Sequence, residues 1–148
     1  MMGILEFFDA AKEHDLLKRF EPQHLEKLAG LAKDAEFGCD HIIFQQGEQV
    51  SSFYLVIQGS VALESTAGAR RVTVQSLQAG DAMGWSAVTG PDHGAHFDAR
   101  ALAPVRAIAF DGAQLRAACE SDPSFGYVMM RALLSLVTER LDAIRHYS

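Results

Sequence analysis

The stretch Gly80-Asp81-Ala82-Met83-Gly84-Trp85-Ser86-Ala87-Val88 is the part of the chain best suited to recognising a ligand. A Gly-Asp turn runs into a second glycine, then the only tryptophan of the sequence, then small residues. Glycine lets a backbone come close to another group because it has no side chain in the way. The tryptophan offers either a flat face for stacking or bulk to fill a pocket. A second candidate is Pro91-Asp92-His93-Gly94-Ala95-His96-Phe97-Asp98, where two histidines lie three apart beside two carboxylates. Such groups can ligate zinc or a harder metal, but only if a loop turns them to a common point. Solvated loop histidines are commoner than ligands, and the clustered H-x-H with a later Glu of metal-dependent barrel enzymes is absent, so no metal site is expected. His14, His24, His41 and His146 are scattered and suggest no cluster. Nucleophile elbow, P-loop and acidic catalytic pair are missing from the sequence, and no enzyme is expected.

The chain that must position these residues has 148 residues, enough for one domain. Hydrophobic residues make up 49% and charged residues 22%, a globular profile. No apolar run is long enough for a membrane span, and the N-terminus lacks the marks of a secretory signal. Cys39 and Cys119 are far apart, without C-x-x-C spacing, and read as free thiols of a cytoplasmic protein. The net charge of −6 argues against a direct grip on nucleic acid. It leaves open a small anionic ligand held by a local cluster of donors.

Three parts follow along the chain. Residues 1–35 read as N-terminal helices. Ile4, Leu5, Phe8 and Ala11, then Leu16, Leu17 and Phe20, suggest short amphipathic turns. Pro22 opens a helix carrying Leu25, Leu28, Ala29 and Ala32. Residues 36–110 read as short strands rich in Val, Ile, Phe and Tyr, punctuated by Gly47, Gly59, Gly68 and Gly80, as in a sandwich or small barrel. Residues 111–148 return to helix. Asp111 with Gln114 resembles a capping box, and Asp122-Pro123 reads as cap and first turn of a long helix. Its stripe of Phe125, Val128, Met129, Ala132, Leu133, Leu136, Val137, Leu141 and Ile144 is wide for a helix that closes one small barrel. Part of it is expected to meet a second copy. The whole of 1–148 is a single α+β unit.

The ordered set of segments resembles the cyclic-nucleotide-binding domain family, which includes the sensor halves of Crp/Fnr-type regulators. The similarity is carried by LLKRFEPQHLEKLAGLAKDAEF, IIFQQGEQVSSFYLVIQGSVAL, LQAGDAMGWSAV, ARALAPVRAIAF and SDPSFGYVMMRALLSLVTERLDAIR. It implies a β-roll, a double-stranded jelly-roll barrel, with N-terminal helices and a long C-terminal helix. It also implies a phosphate-binding cassette over residues 80–98. In the family a short helix follows the Gly-Asp turn and its bare amides face the cyclic phosphate, which suits the positive end of a helix. The resemblance implies ligand contacts from Met83, Gly84, Trp85, Ser86, Ala87, His96 and Phe97. Ser86 would add a hydroxyl and Ala87 would leave room. Leu141, Ile144 and Arg145 would form a lid. Two departures stand out. Trp85 occupies the position of the glutamate that holds the ribose, and Ala95 or His96 the position of the arginine that pairs with the phosphate. Neither replacement makes a bidentate, always-charged contact. Arg100 lies near the cassette but matches a strand position whose arginine usually faces outward.

The expectation is a small-molecule-sensing regulatory domain, with a nucleotide-like or other anionic ligand rather than tightly bound cAMP or cGMP and no resident cofactor. The expected partners are that ligand, a second copy through the C-terminal helix, and a regulatory protein. Since the sequence ends at Ser148, where the long helix would end, a stand-alone sensor without a DNA-binding domain is expected. The alternative is a degenerate, ligand-free barrel used for protein interaction or dimerisation.

Overall fold

The computed structural model describes residues 3–67, 69–90 and 94–147. Helices α1 (Ile4–Ala11) and α2 (Pro22–Leu31) come first, joined through a 3-10 turn at Leu17–Arg19. Strands β1 (Lys33–Phe37), β2 (Ile42–Phe44), β3 (Ser52–Gln58), β4 (Val61–Ala67), β5 (Arg70–Leu77) and β6 (Ala82–Met83) follow. After the short helix α3 (Ser86–Thr89) come β7 (Asp98–Ala101) and β8 (Val105–Asp111), then α4 (Gly112–Ser121) and α5 (Pro123–Tyr147). No helix is long and apolar enough to cross a membrane among the described residues.

The strands form two antiparallel four-stranded sheets, ordered β1-β8-β3-β6 and β2-β7-β4-β5. Side chains alternate across a strand, so the first sheet can feed two cores at once. Phe53, Leu55, Ile108 and Phe110 pack with Phe7, Leu17, Phe20, Leu28, Leu115, Phe125, Met129 and Leu133 under the helices. Val56, Val105 and Ala107 join Phe44, Val61, Leu63, Leu77 and Ala99 between the sheets. This is the α+β roll expected from the sequence, and burying a side chain of this size contributes about 1.5–3 kcal/mol.

Local signals place the helix starts. Pro22 stands in the first turn of α2. The Asp111 carboxylate accepts from the Gln114 amide at 3.1 Å and starts α4. Asp122 Oδ1 accepts from the Phe125 amide at 3.4 Å at the start of α5.

Three details depart from the sequence pattern. Residues Lys33–Ala35, which the pattern assigns to the N-terminal helices, open β1, whose ladder to β8 runs from Lys33↔Ala109 to Phe37↔Val105. Strand pairing overrides local helix propensity there. In α1 the inward residues are Phe7 and Ala11, while Ile4 and Leu5 are exposed, because Phe7 packs edge-on against Phe110. In α5 the broad apolar stripe divides. Phe125, Met129, Ala132 and Leu133 are buried, with Val128 and Leu136 packed against them, while Leu141 and Ile144 are exposed.

Candidate functional site

The site begins where β6 pairs with β3 through Tyr54↔Met83 and Leu55↔Ala82. The chain then reaches Gly84 at φ +82°, and a Cβ there would lie 2.7 Å from the carbonyl oxygen of Ser52. Conformation and space both demand glycine. Beyond it, α3 closes its turn through Ala87 N–H to Gly84 O (3.1 Å) and Val88 N–H to Trp85 O (2.9 Å). The amides of Gly84, Trp85 and Ser86 have no acceptor among the described residues.

The turn is anchored at both ends. Upstream, Leu16 N–H donates to His14 Nδ1 at 3.2 Å, so Nε2 carries the proton and donates to Asp81 O at 3.0 Å. Burial, the largest influence on His14, holds its pKa below the ordinary value. Downstream, Arg116 of α4 donates to the carbonyl of Ala87, and Gly112 lies so close to that carbonyl that a Cβ would collide with it.

A cleft opens above this turn. Phe44, Leu63 and Met83 line it from the strands, Gly84, Trp85 and Ser86 from the cassette, and Ala95, His96 and Phe97 from the following loop. Trp85 and His96 stack at 5.7 Å between centroids and 21° between planes. From α5 comes Arg140, only 4% exposed. Its guanidinium carbon is 5.3 Å from the centroid of the Trp85 ring. Nη1 donates to Gln75 Oε1 at 2.6 Å and Nη2 to Ala82 O at 3.0 Å, while Nε has no acceptor. Burial lowers the Arg140 pKa, against the opposing charges of Asp81 and Glu139. The free volume is about 20 Å³, space for about one water molecule.

Of the residues expected at the ligand, Met83, Gly84, Trp85, Ser86, His96 and Phe97 line this cleft together. Ala87 does not line it; it is buried in the core between the sheets. Ala95, a candidate for the missing arginine position, does line it. Leu141 and Ile144 are exposed and, with Arg145, lie outside the lining, so the turn of α5 that reaches the cleft brings Arg140 instead. Arg100 pairs bidentately with the buried carboxylate of Glu64 at 3.0 Å and reaches Asp40 at 3.2 Å, bracing the second sheet away from the cleft. Asp98 accepts from the Gln46 amide at 2.7 Å. Asp92 and His93 lie outside the described residues, and among those described no three His, Cys, Asp or Glu side chains converge on a metal position.

Arg140 is the residue that motif reasoning passes over. A signal for it exists in the helical period, since Met129, Leu133, Leu136 and Arg140 recur at spacings of four, three and four on one face.

A two-sheet roll with a glycine-hinged cassette turn, overlain by a long C-terminal helix, is the architecture that this chain shares with a known class of β-roll domain. The model of the cyclic nucleotide-binding domain matches residues 35–122, and the chain belongs to that family. A protein of Geobacter metallireducens provisionally named as cyclic nucleotide-binding is 25% identical, with a TM-score of 0.76 over 86% of this chain and 92% of that one. A cyclic nucleotide-binding domain from Methylobacillus flagellatus is 18% identical, with a TM-score of 0.79 over 98% of this chain and 84% of that one. The catabolite activator protein of Thermus thermophilus is 22% identical, with a TM-score of 0.71 over 86% of this chain and 58% of that one. No curated protein shows significant sequence similarity.

Proposed function

We propose that the chain is a regulatory sensor rather than an enzyme, and that its cleft takes a nucleotide-like or other anionic small molecule. The observation that carries this reading is the position of the cleft, which has the cassette turn on one side and α5 on the other. A ligand there lies between the cassette turn and the helix through which a response would leave. Tight binding of cAMP or cGMP is not part of the proposal. Trp85 stands in the ribose-holding position, and no arginine stands at Ala95 or His96. Losing one charge-assisted contact costs about 1.5–3 kcal/mol, or about one to two decades in affinity.

The partner side of the proposal is a homodimer through α5. Tyr127, Met130, Leu134, Leu141 and Ile144 are exposed, and with Val137 they recur at alternating spacings of three and four. That is a heptad seam, which a second copy of the same helix covers well. A regulatory protein on the same seam is the competing occupant.

Mass spectrometry of the small molecules that co-purify with the chain, followed by calorimetric titration of what is found and of cAMP and cGMP, tests the sensor reading. A bound anionic molecule, with cAMP and cGMP weak, is expected. A second reading, the ligand-free barrel, is favoured by one observation, the free volume of about 20 Å³. An empty protein that titrates with none of the candidates leaves that reading standing.

A further inference from the structure

We infer that Arg140 is the oxyanion-receiving group of this cleft, brought by α5 in place of the arginine that the cassette lacks, and that the ligand carries a phosphate or carboxylate. The inference rests on the sensor reading and adds which residue meets the charge.

Arg140 is more than nine-tenths buried, yet among the described residues its hydrogen-bond partners include no carboxylate. Its two hydrogen bonds go to neutral oxygens, the amide of Gln75 and the carbonyl of Ala82, and its Nε goes to none. Asp81 and Glu139 act on it only through space. A cation removed from water without a counter-charge is costly, and an anion in the same low-dielectric space relieves that cost. The Trp85 face compensates in part through a cation–π contact. A planar guanidinium that lines the cleft without a carboxylate partner suits an oxyanion better than a neutral ligand.

The location of the charge matters as much as its sign. An arginine within the cassette would hold the anion without involving the C-terminal helix. Arg140 is on α5, so an oxyanion bridging it to the cassette would tie that helix to the roll. Entry requires movement, because the resting cleft has space for about one water. His96, exposed and stacked on Trp85, forms the outer wall of the cleft and is the part a ligand would have to displace.

Trp85, the only tryptophan, reports on the site directly. The full chain, Arg140→Met and Arg140→Lys are titrated with inorganic phosphate, and separately with cAMP, at constant ionic strength made up with chloride. Trp85 fluorescence and thermal midpoint are followed. A saturable fluorescence change with a rising midpoint is expected in the natural chain. Affinity falls about tenfold or more in Arg140→Met, and by less in Arg140→Lys, which keeps the charge but loses the fork. Equal affinity in Arg140→Met and the natural chain overturns the role of Arg140 and leaves the sensor reading intact. If Arg140→Met does not fold, unchanged affinity in Arg140→Lys overturns it instead. A natural chain that ignores both probes but co-purifies with a neutral ligand also overturns the Arg140 assignment alone. One that binds nothing overturns both.

Discussion

His14, just beyond the first helix, donates through Nε2 to the backbone carbonyl of Asp81, 67 residues away and 3.0 Å distant. The bond ties the N-terminal helices to the turn that opens the cassette. It requires the neutral ring, because the other nitrogen accepts from the Leu16 amide.

Stability therefore falls on mild acidification. The folded imidazole has its pKa lowered from 6.5, so below that pH the unfolded chain takes up the proton first. The loss begins as pH drops below about 6.5 and levels off once the folded form also protonates. Thermal scans from pH 7.5 to 5 are expected to show a steeper fall in midpoint for the natural chain than for His14→Gln, which keeps a donor but does not titrate. Parallel curves would remove the role assigned to His14.

A lower pH window belongs to Asp122. The Lys27 ammonium, first, then the Ser124 hydroxyl and the Phe125 amide hold its pKa down to about 2, from 3.8. The folded form stays ionised longer than the unfolded one. Its contribution is fully present above about pH 4 and is lost as pH falls toward 2. Acid unfolding of Asp122→Asn is expected to lose that component, measured as a smaller drop in midpoint between pH 4 and 2.

Gly84→Ala is expected to destabilise the fold by about 1–3 kcal/mol, from left-handed strain plus collision with the Ser52 carbonyl. Urea unfolding gives the value, and Trp85 fluorescence reports the displaced cassette. A change within about 0.5 kcal/mol would show that the turn is not held against β3 as described.

The double variant Trp85→Glu/Ala95→Arg is expected to raise cAMP affinity by about tenfold or more, because it restores both missing contacts. Calorimetry showing no binding would count against the cassette alignment. Ala95→Arg alone is expected to lower the thermal midpoint. It adds a second guanidinium to a cleft that already contains Arg140, and like charges repel more strongly away from water.

Leu134→Glu places a charge in the middle of the exposed seam of α5, where Leu134 is 66% exposed. Sedimentation of the natural chain is expected to give a dimer and that of the variant a monomer, with the thermal midpoint of the isolated protomer unchanged. A natural chain that is monomeric at high concentration removes the homodimer proposal.

Much of the roll was legible because its signals are local. Asp111, Asp122 and Pro123 announce helix starts within a turn, and Gly84 marks the cassette by what it lacks. Lys33–Phe37 was not legible, since a charged segment becomes a strand only through its distant partner β8. Phe7 turns inward because of Phe110, 103 residues downstream. Arg140 was obscured for a different reason. Arginine at the end of an apolar stripe normally marks where the stripe meets water, its stem covered and its head free. Here the helix continues over the cassette, so the head is covered as well, and only the geometry of the roll determines that.

Helix α5 also carries its two features at a fixed angle. At about 100° per residue, Arg140 points roughly 40–100° away from Val137, Leu141 and Ile144 of the seam. Rolling the helix to withdraw the guanidinium must swing the seam by the same angle. In a paired molecule, occupancy of the cleft and the association equilibrium would then be thermodynamically linked, so the apparent dissociation constant for an anion would change with protein concentration.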